Sequence, residues 1–131
     1  MSTQTQLDRW VRGRGNVITI HAEQRVSSAA RVMTDNHVGC LVVVDGQEAM
    51  VGIVTERDIL RWVGNASPET YSALVGDIMA TEVVSCEPGT PIEEAHRIMV
   101  EHGVRHLPIV EDGAPVGILS SRDVMGQSLD L

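Results

Sequence analysis

A seven-residue stretch written twice constrains this chain more than any other feature. Gly52-Ile53-Val54-Thr55-Glu56-Arg57-Asp58 returns 65 residues later as Gly117-Ile118-Leu119-Ser120-Ser121-Arg122-Asp123. Each copy reads as a buried strand that breaks at a hydroxyl residue and opens a helix. A Thr or Ser with an acid three residues on marks a helix N-terminus, where the hydroxyl accepts from orphan backbone N–H groups and the carboxylate suits the dipole. One copy would mean no more than a capped helix. The repeat, however, extends well beyond the motif. Val26–Met33 matches Ile92–Met99 and Val38–Val44 matches Val104–Val110 at an offset of 66, falling to 65 after the turns at Asp45-Gly46 and Asp112-Gly113. Upstream, Val17-Ile18-Thr19-Ile20 matches Val83-Val84-Ser85-Cys86. Self-similarity at a fixed spacing means one structural unit used twice.

The predicted elements follow the same repeat. Val17–Ile20 is a strand, and Val26, Ala29, Ala30 and Met33 form a helical stripe ending near Asn36-His37. Cys40–Val44 is a strand with a continuous apolar run, Val51–Val54 its hairpin partner, and Glu56–Val63 a helix. Thr70–Leu74 adds a helical turn before Gly76-Asp77-Ile78-Met79. In the second half, Thr90-Pro91-Ile92-Glu93 supplies an N-cap, a first-turn proline and a capping-box acid. Ile92, Ala95, Ile98 and Met99 face inward, and Gly103 takes a left-handed C-terminal position. Leu107–Val110 pairs with Val116–Leu119, and a last helix covers about 121–125. Residues 3–12 form a short helix ahead of the repeats, and 126–131 a frayed tail.

This order of strand, helix, two strands and a Gly-hydrophobic-x-Thr/Ser-x-x-Asp helix start resembles the cystathionine beta-synthase (CBS) domain. Two in tandem resemble the CBS pair, or Bateman module. Gly76-Asp77-Ile78-Met79 and Arg105-His106-Leu107-Pro108 also resemble family segments, whereas Trp10-Val11-Arg12-Gly13 departs from the pattern at the start of the first repeat. The resemblance implies an α/β fold: one module over 1–131, with repeats at about 17–63 and 76–126. Each repeat would be a small sheet with two helices, the two packed sheet to sheet with clefts between them.

Charge and composition limit the partners. The net charge is −8, from ten Arg, no Lys and 18 acids, so the chain lacks the basic face a duplex nucleic acid requires. Neither a signal peptide nor an 18-residue apolar run is visible. Cys40 and Cys86 lack metal or CxxC spacing and read as small hydrophobes in a reducing cytoplasm. No nucleophile elbow or glycine-rich phosphate loop is present, so the chain reads as non-catalytic. His102 and His106 are four apart, but Gly103 should end the helix between them, and no metal site is expected.

Physically, the motif suits a nucleoside. The ionised Asp58 or Asp123 can accept from both hydroxyls of a ribose. Thr55 or Ser120, followed by Arg57 or Arg122, lies at a helix start that favours phosphate. Ile53 or Ile118 offers a wall for a base, and backbone at Thr19 or Ser85 can read its edge. By the resemblance, both repeats contribute to two related clefts that bind adenosine-containing ligands: AMP, ADP or ATP, or else NAD or S-adenosylmethionine. No cofactor is otherwise required. Asp58 would then share a cleft with Ser85, Arg105, His106 and Pro108, and Asp123 with Thr19, Gly39 and Cys40, making the Asp58 cleft the better phosphate site. Arg12 and Arg14 could reach a bound anion, but a solvated arm is the favoured reading. The expected role is ligand sensing for a client protein; the alternative is a ligand-free dimerisation or interaction module. Ile59, Leu60, Trp62 and Val63 are apolar enough to predict a homodimer through this helix.

Overall fold

The computed structural model describes residues 17–65 and 72–124. The expected helix over 3–12, the arginines at 12 and 14, the link after Asn65 and the tail lie outside those residues. The chain forms two compact units, Ile18–Val83 and a second built from 84 onward.

In the first unit the strands β1 (Thr19–His21), β2 (Cys40–Val44) and β3 (Met50–Thr55) form a sheet in the order β1-β2-β3. β1 runs parallel to β2, which is antiparallel to β3. All five residues of β2 are buried, as its uninterrupted apolar run demands. Helix α1 (Val26–Asn36) lays Val26, Ala29 and Met33 inward, while Ala30 is only half-buried. It ends at His37, which takes the left-handed conformation at φ 55° with its N–H on the Met33 and Thr34 carbonyls. Ile20, Ala29, Met33, Leu41, Val43, Val54 and Val75 form the core. Helix α2 (Glu56–Gly64) follows β3 directly.

Helix α3 (Val75–Ile78) carries the Gly76-Asp77-Ile78-Met79 segment and is stitched into this first unit. The Val75 and Gly76 N–H groups donate to the Gln24 and Ala22 carbonyls at 2.8 and 2.9 Å. Ile53 and Ala80 then exchange both backbone hydrogen bonds, at 3.0 and 2.9 Å, beside β3.

The second unit holds α4 (Ile92–His102) and the antiparallel strands β4 (His106–Glu111) and β5 (Ala114–Ser120), followed by helical residues 121–124. Cys86, Ala95, Met99, Leu107, Ile109, Leu119 and Val124 form its core, with Ile98 packed against them. Gly103 ends α4 in the left-handed conformation at φ 63°, as expected.

This half departs from the first in one element and from expectation in another. The segment Val83–Cys86, which matches Val17–Ile20 in the repeat, makes only a single parallel bridge, between Cys86 and Ile109. Prolines explain it: the Val42 N–H donates to the Ile18 carbonyl in the first unit, whereas Pro108, its counterpart, has no N–H, and Pro88 cannot extend the ladder forward. Thr90 does not cap α4 either. Pro91 takes the N-cap position without a side-chain bond, and the Thr90 hydroxyl accepts instead from the Glu87 N–H at 3.0 Å.

Both hairpins carry the same irregularity. The pairing slips between Val43 and Val44 and again between Ile109 and Val110, leaving Val51 and Val116 as bulged residues. Beyond the slips the tips differ by one residue, with Asp45 Oδ1 binding the Gln47 and Ala49 N–H groups in the longer one. No helix among the described residues is long and apolar enough to cross a membrane.

Candidate ligand-binding site

The duplicated motif folds into the same device in both units. The Thr55 hydroxyl accepts from the Asp58 N–H at 3.2 Å, and Asp58 Oδ2 accepts from the Thr55 N–H at 2.9 Å. Ser120 and Asp123 repeat this at 3.1 and 2.9 Å. These are reciprocal capping boxes, and each fixes the rotamer of its aspartate through one carboxylate oxygen. Asp58 Oδ1 lies 3.9 Å from Arg61, and the Asp58 side chain keeps 19% exposure. The cap therefore holds a partly exposed acceptor in place: it engages Oδ2 and leaves Oδ1 to face Arg61.

The sheets set the neighbours. Cys40 pairs with Thr55 and His106 with Ser120, so the strand starts that follow α1 and α4 lie beside the caps. The Glu56 N–H donates to the Gly39 carbonyl at 2.9 Å, and the Ser121 N–H to the Arg105 carbonyl at the same distance. Arg57, Arg105 and Arg122 are exposed, and Ile53, Ile118 and Thr19 are half-buried. Ser85 is exposed next to the bridged Cys86, while Pro108 is buried on β4 with its carbonyl accepting from the Cys86 N–H. Cys40 is buried beneath the first cap and presents little surface. Thr19, paired with Val42, and Ile53, paired with Val42 and Ala80, have their flanking backbone engaged in the sheet.

Sequence reasoning missed Glu56. Its carboxylate lies 3.0–3.3 Å from the point where a Cβ on Gly39 would sit. The clue was the equivalence of Gly39 with Arg105, which leaves a side-chain-sized space in the first repeat. Among the described residues, no group of three or more His, Cys, Asp or Glu is arranged to hold a metal.

Both cysteines are free and buried. Burial, aided by the Asp58 charge, pushes the Cys40 thiol from 9.0 up to about 12, and burial foremost pushes Cys86 up to about 11. In the unfolded chain they would ionise near 9.0, so their neutral burial stabilises fully below that pH. Above it the stability falls by about 1.4 kcal/mol per pH unit and per thiol, until each folded-state value is reached. Chemical denaturation between pH 8 and 11 checks this, with stability expected to fall less in a Cys40→Ala, Cys86→Ala variant. Parallel slopes in the two proteins would contradict it.

Comparison with known proteins agrees with this architecture. The CBS domain family profile matches residues 13–65 and 75–130. The meiotically up-regulated gene 70 protein of Schizosaccharomyces pombe is 36% identical over 110 residues, which cover 83% of this chain but only 15% of that protein. Among solved structures, the CBS domain NE2398 aligns with a TM-score of 0.84 at 28% identity, covering 94% of this chain and 96% of that one. CBSX2, solved in complex with AMP, aligns with a TM-score of 0.75 at 28% identity over 88% and 89% of the two chains. With both halves matched, and each built around the same cap, the chain belongs to the CBS domain family and carries the domain twice.

Proposed function

We propose that this chain is a non-catalytic regulatory module that binds an adenosine-containing ligand, with AMP, ADP or ATP favoured, and relays its occupancy to a client protein. The observation that carries this reading is the aspartate held by a reciprocal cap in each repeat. A cap alone would be served about as well by other small polar residues, whereas a fixed carboxylate suits a ribose diol. The AMP complex of CBSX2 supports the ligand class. Leu60 and Val63, 69% and 54% exposed on α2, favour a homodimer through that helix, while Ile59 packs on its own core.

Calorimetric titration with AMP, ADP, ATP, NAD and S-adenosylmethionine tests the proposal. Saturable binding is expected, weakened about tenfold or more by Asp58→Asn, which keeps a capping oxygen but loses the charge. Arg105→Ala should weaken AMP more than adenosine. Sedimentation of the same samples should give twice the 14.2 kDa chain mass. A dimer that binds none of these compounds would leave the ligand-free interaction module as the function.

A further inference from the structure

The two repeats place opposite charges at equivalent positions. In each, the first residue after the capping hydroxyl donates its N–H to the residue that precedes the middle strand: Glu56 to Gly39, and Ser121 to Arg105, both at 2.9 Å. The same bond thus marks the same place twice. In the first repeat the space over Gly39 is filled by the Glu56 carboxylate, whose oxygens lie 3.0 and 3.3 Å from a Cβ position there. In the second repeat the corresponding residues are a neutral Ser121 and a cationic Arg105. The charges shared by both copies, Arg57 with Asp58 and Arg122 with Asp123, cancel in the comparison.

Resting on the adenosine-ligand reading, we infer that Glu56 sets ligand class: the position it occupies rejects phosphate and admits an adenosyl compound whose far end is neutral or cationic. The Arg105 position accepts the phosphorylated compound. The physical reason is that a carboxylate and a phosphate held several ångströms apart beside low-dielectric protein repel one another appreciably. A neutral ribose substituent carries no such penalty, and a cationic one is attracted. The two halves of one chain then discriminate between phosphorylated and unphosphorylated adenosine.

Titration of the full chain with AMP and with adenosine, in wild type, Glu56→Gln and Ser121→Glu, tests the inference. Glu56→Gln is expected to raise AMP affinity about three- to tenfold, the size of one like-charge repulsion in a partly solvated site, and to leave adenosine nearly unchanged. The gain should shrink at high salt, because screening removes the repulsion being relieved. Ser121→Glu should lower AMP affinity by a similar factor and spare adenosine. Both variants changing AMP and adenosine alike, or neither compound, would overturn the inference while the adenosine reading stands. If neither compound binds any of the three proteins, the adenosine reading itself fails and this inference with it.

Discussion

Gly52→Ala is expected to destabilise the protein by about 2–3 kcal/mol, the upper part of the range of roughly 1–3 kcal/mol for forcing a methyl group into a filled space. Gly52 is buried on β3, and a Cβ there would lie 2.6 Å from the Ala80 carbonyl oxygen and 2.8 Å from Met79 Sδ. The thioether can swing away. The carbonyl cannot, because the Ile53 N–H holds it at 3.0 Å. Relief therefore breaks the bridge that ties the segment after α3 to the first sheet. The entropic gain of replacing glycine, roughly 0.4–1 kcal/mol, is too small to compensate. Urea midpoints decide it, with Gly46→Ala as control because nothing lies within 4 Å of a Cβ there. Equal midpoints for the two variants would show that the segment yields at no cost.

Leu107→Ala should have an effect of similar or larger size, on the order of 3 kcal/mol. Leu107 is fully buried in β4 and belongs to the core formed with Cys86, Ala95, Met99, Ile109, Leu119 and Val124. Removing its branched end deletes transfer energy and leaves a cavity. The neighbours that could refill it sit on several separate elements, and small residues such as Ala95 have nothing to extend into it. A drop in urea midpoint matching that of an exposed substitution such as Val100→Ala, where the side chain is 67% exposed, would contradict this.

Much of this fold was legible because its signals are local. The run Cys40–Val44 became β2 at the expected bounds, and the Thr-x-x-Asp and Ser-x-x-Asp pairs became the expected caps. What escaped was non-local or depended on a missing group. The second repeat's lack of a full counterpart to β1 follows from Pro108, which lies on a different strand, so no window around Val83 could reveal it. Thr90 looked like a cap because its hydroxyl precedes a helix, yet that hydroxyl accepts from the Glu87 N–H on the other side. Glu56 and Gly39 are far apart in sequence and meet only when β2 and β3 pair. For the candidate site, the sequence indicated what chemistry each side chain could offer, while the division of Asp58 between cap and solvent required coordinates.

The matched bulges separate length from function in these hairpins. Between the slip and the cap, both ladders keep one register, from Val43 opposite Gly52 to Cys40 opposite Thr55, and from Ile109 opposite Gly117 to His106 opposite Ser120. The one-residue difference between the copies is confined to the far side of the bulge. A single-residue shift inside the ladder would have turned every side chain to the opposite face, the capping hydroxyl included. At the tip it changes nothing at the cap. Each hairpin thus has a variable end and an invariant end, and the distal turns are where descendants of this duplication can gain or lose residues, or take a grafted peptide, without disturbing the aspartates.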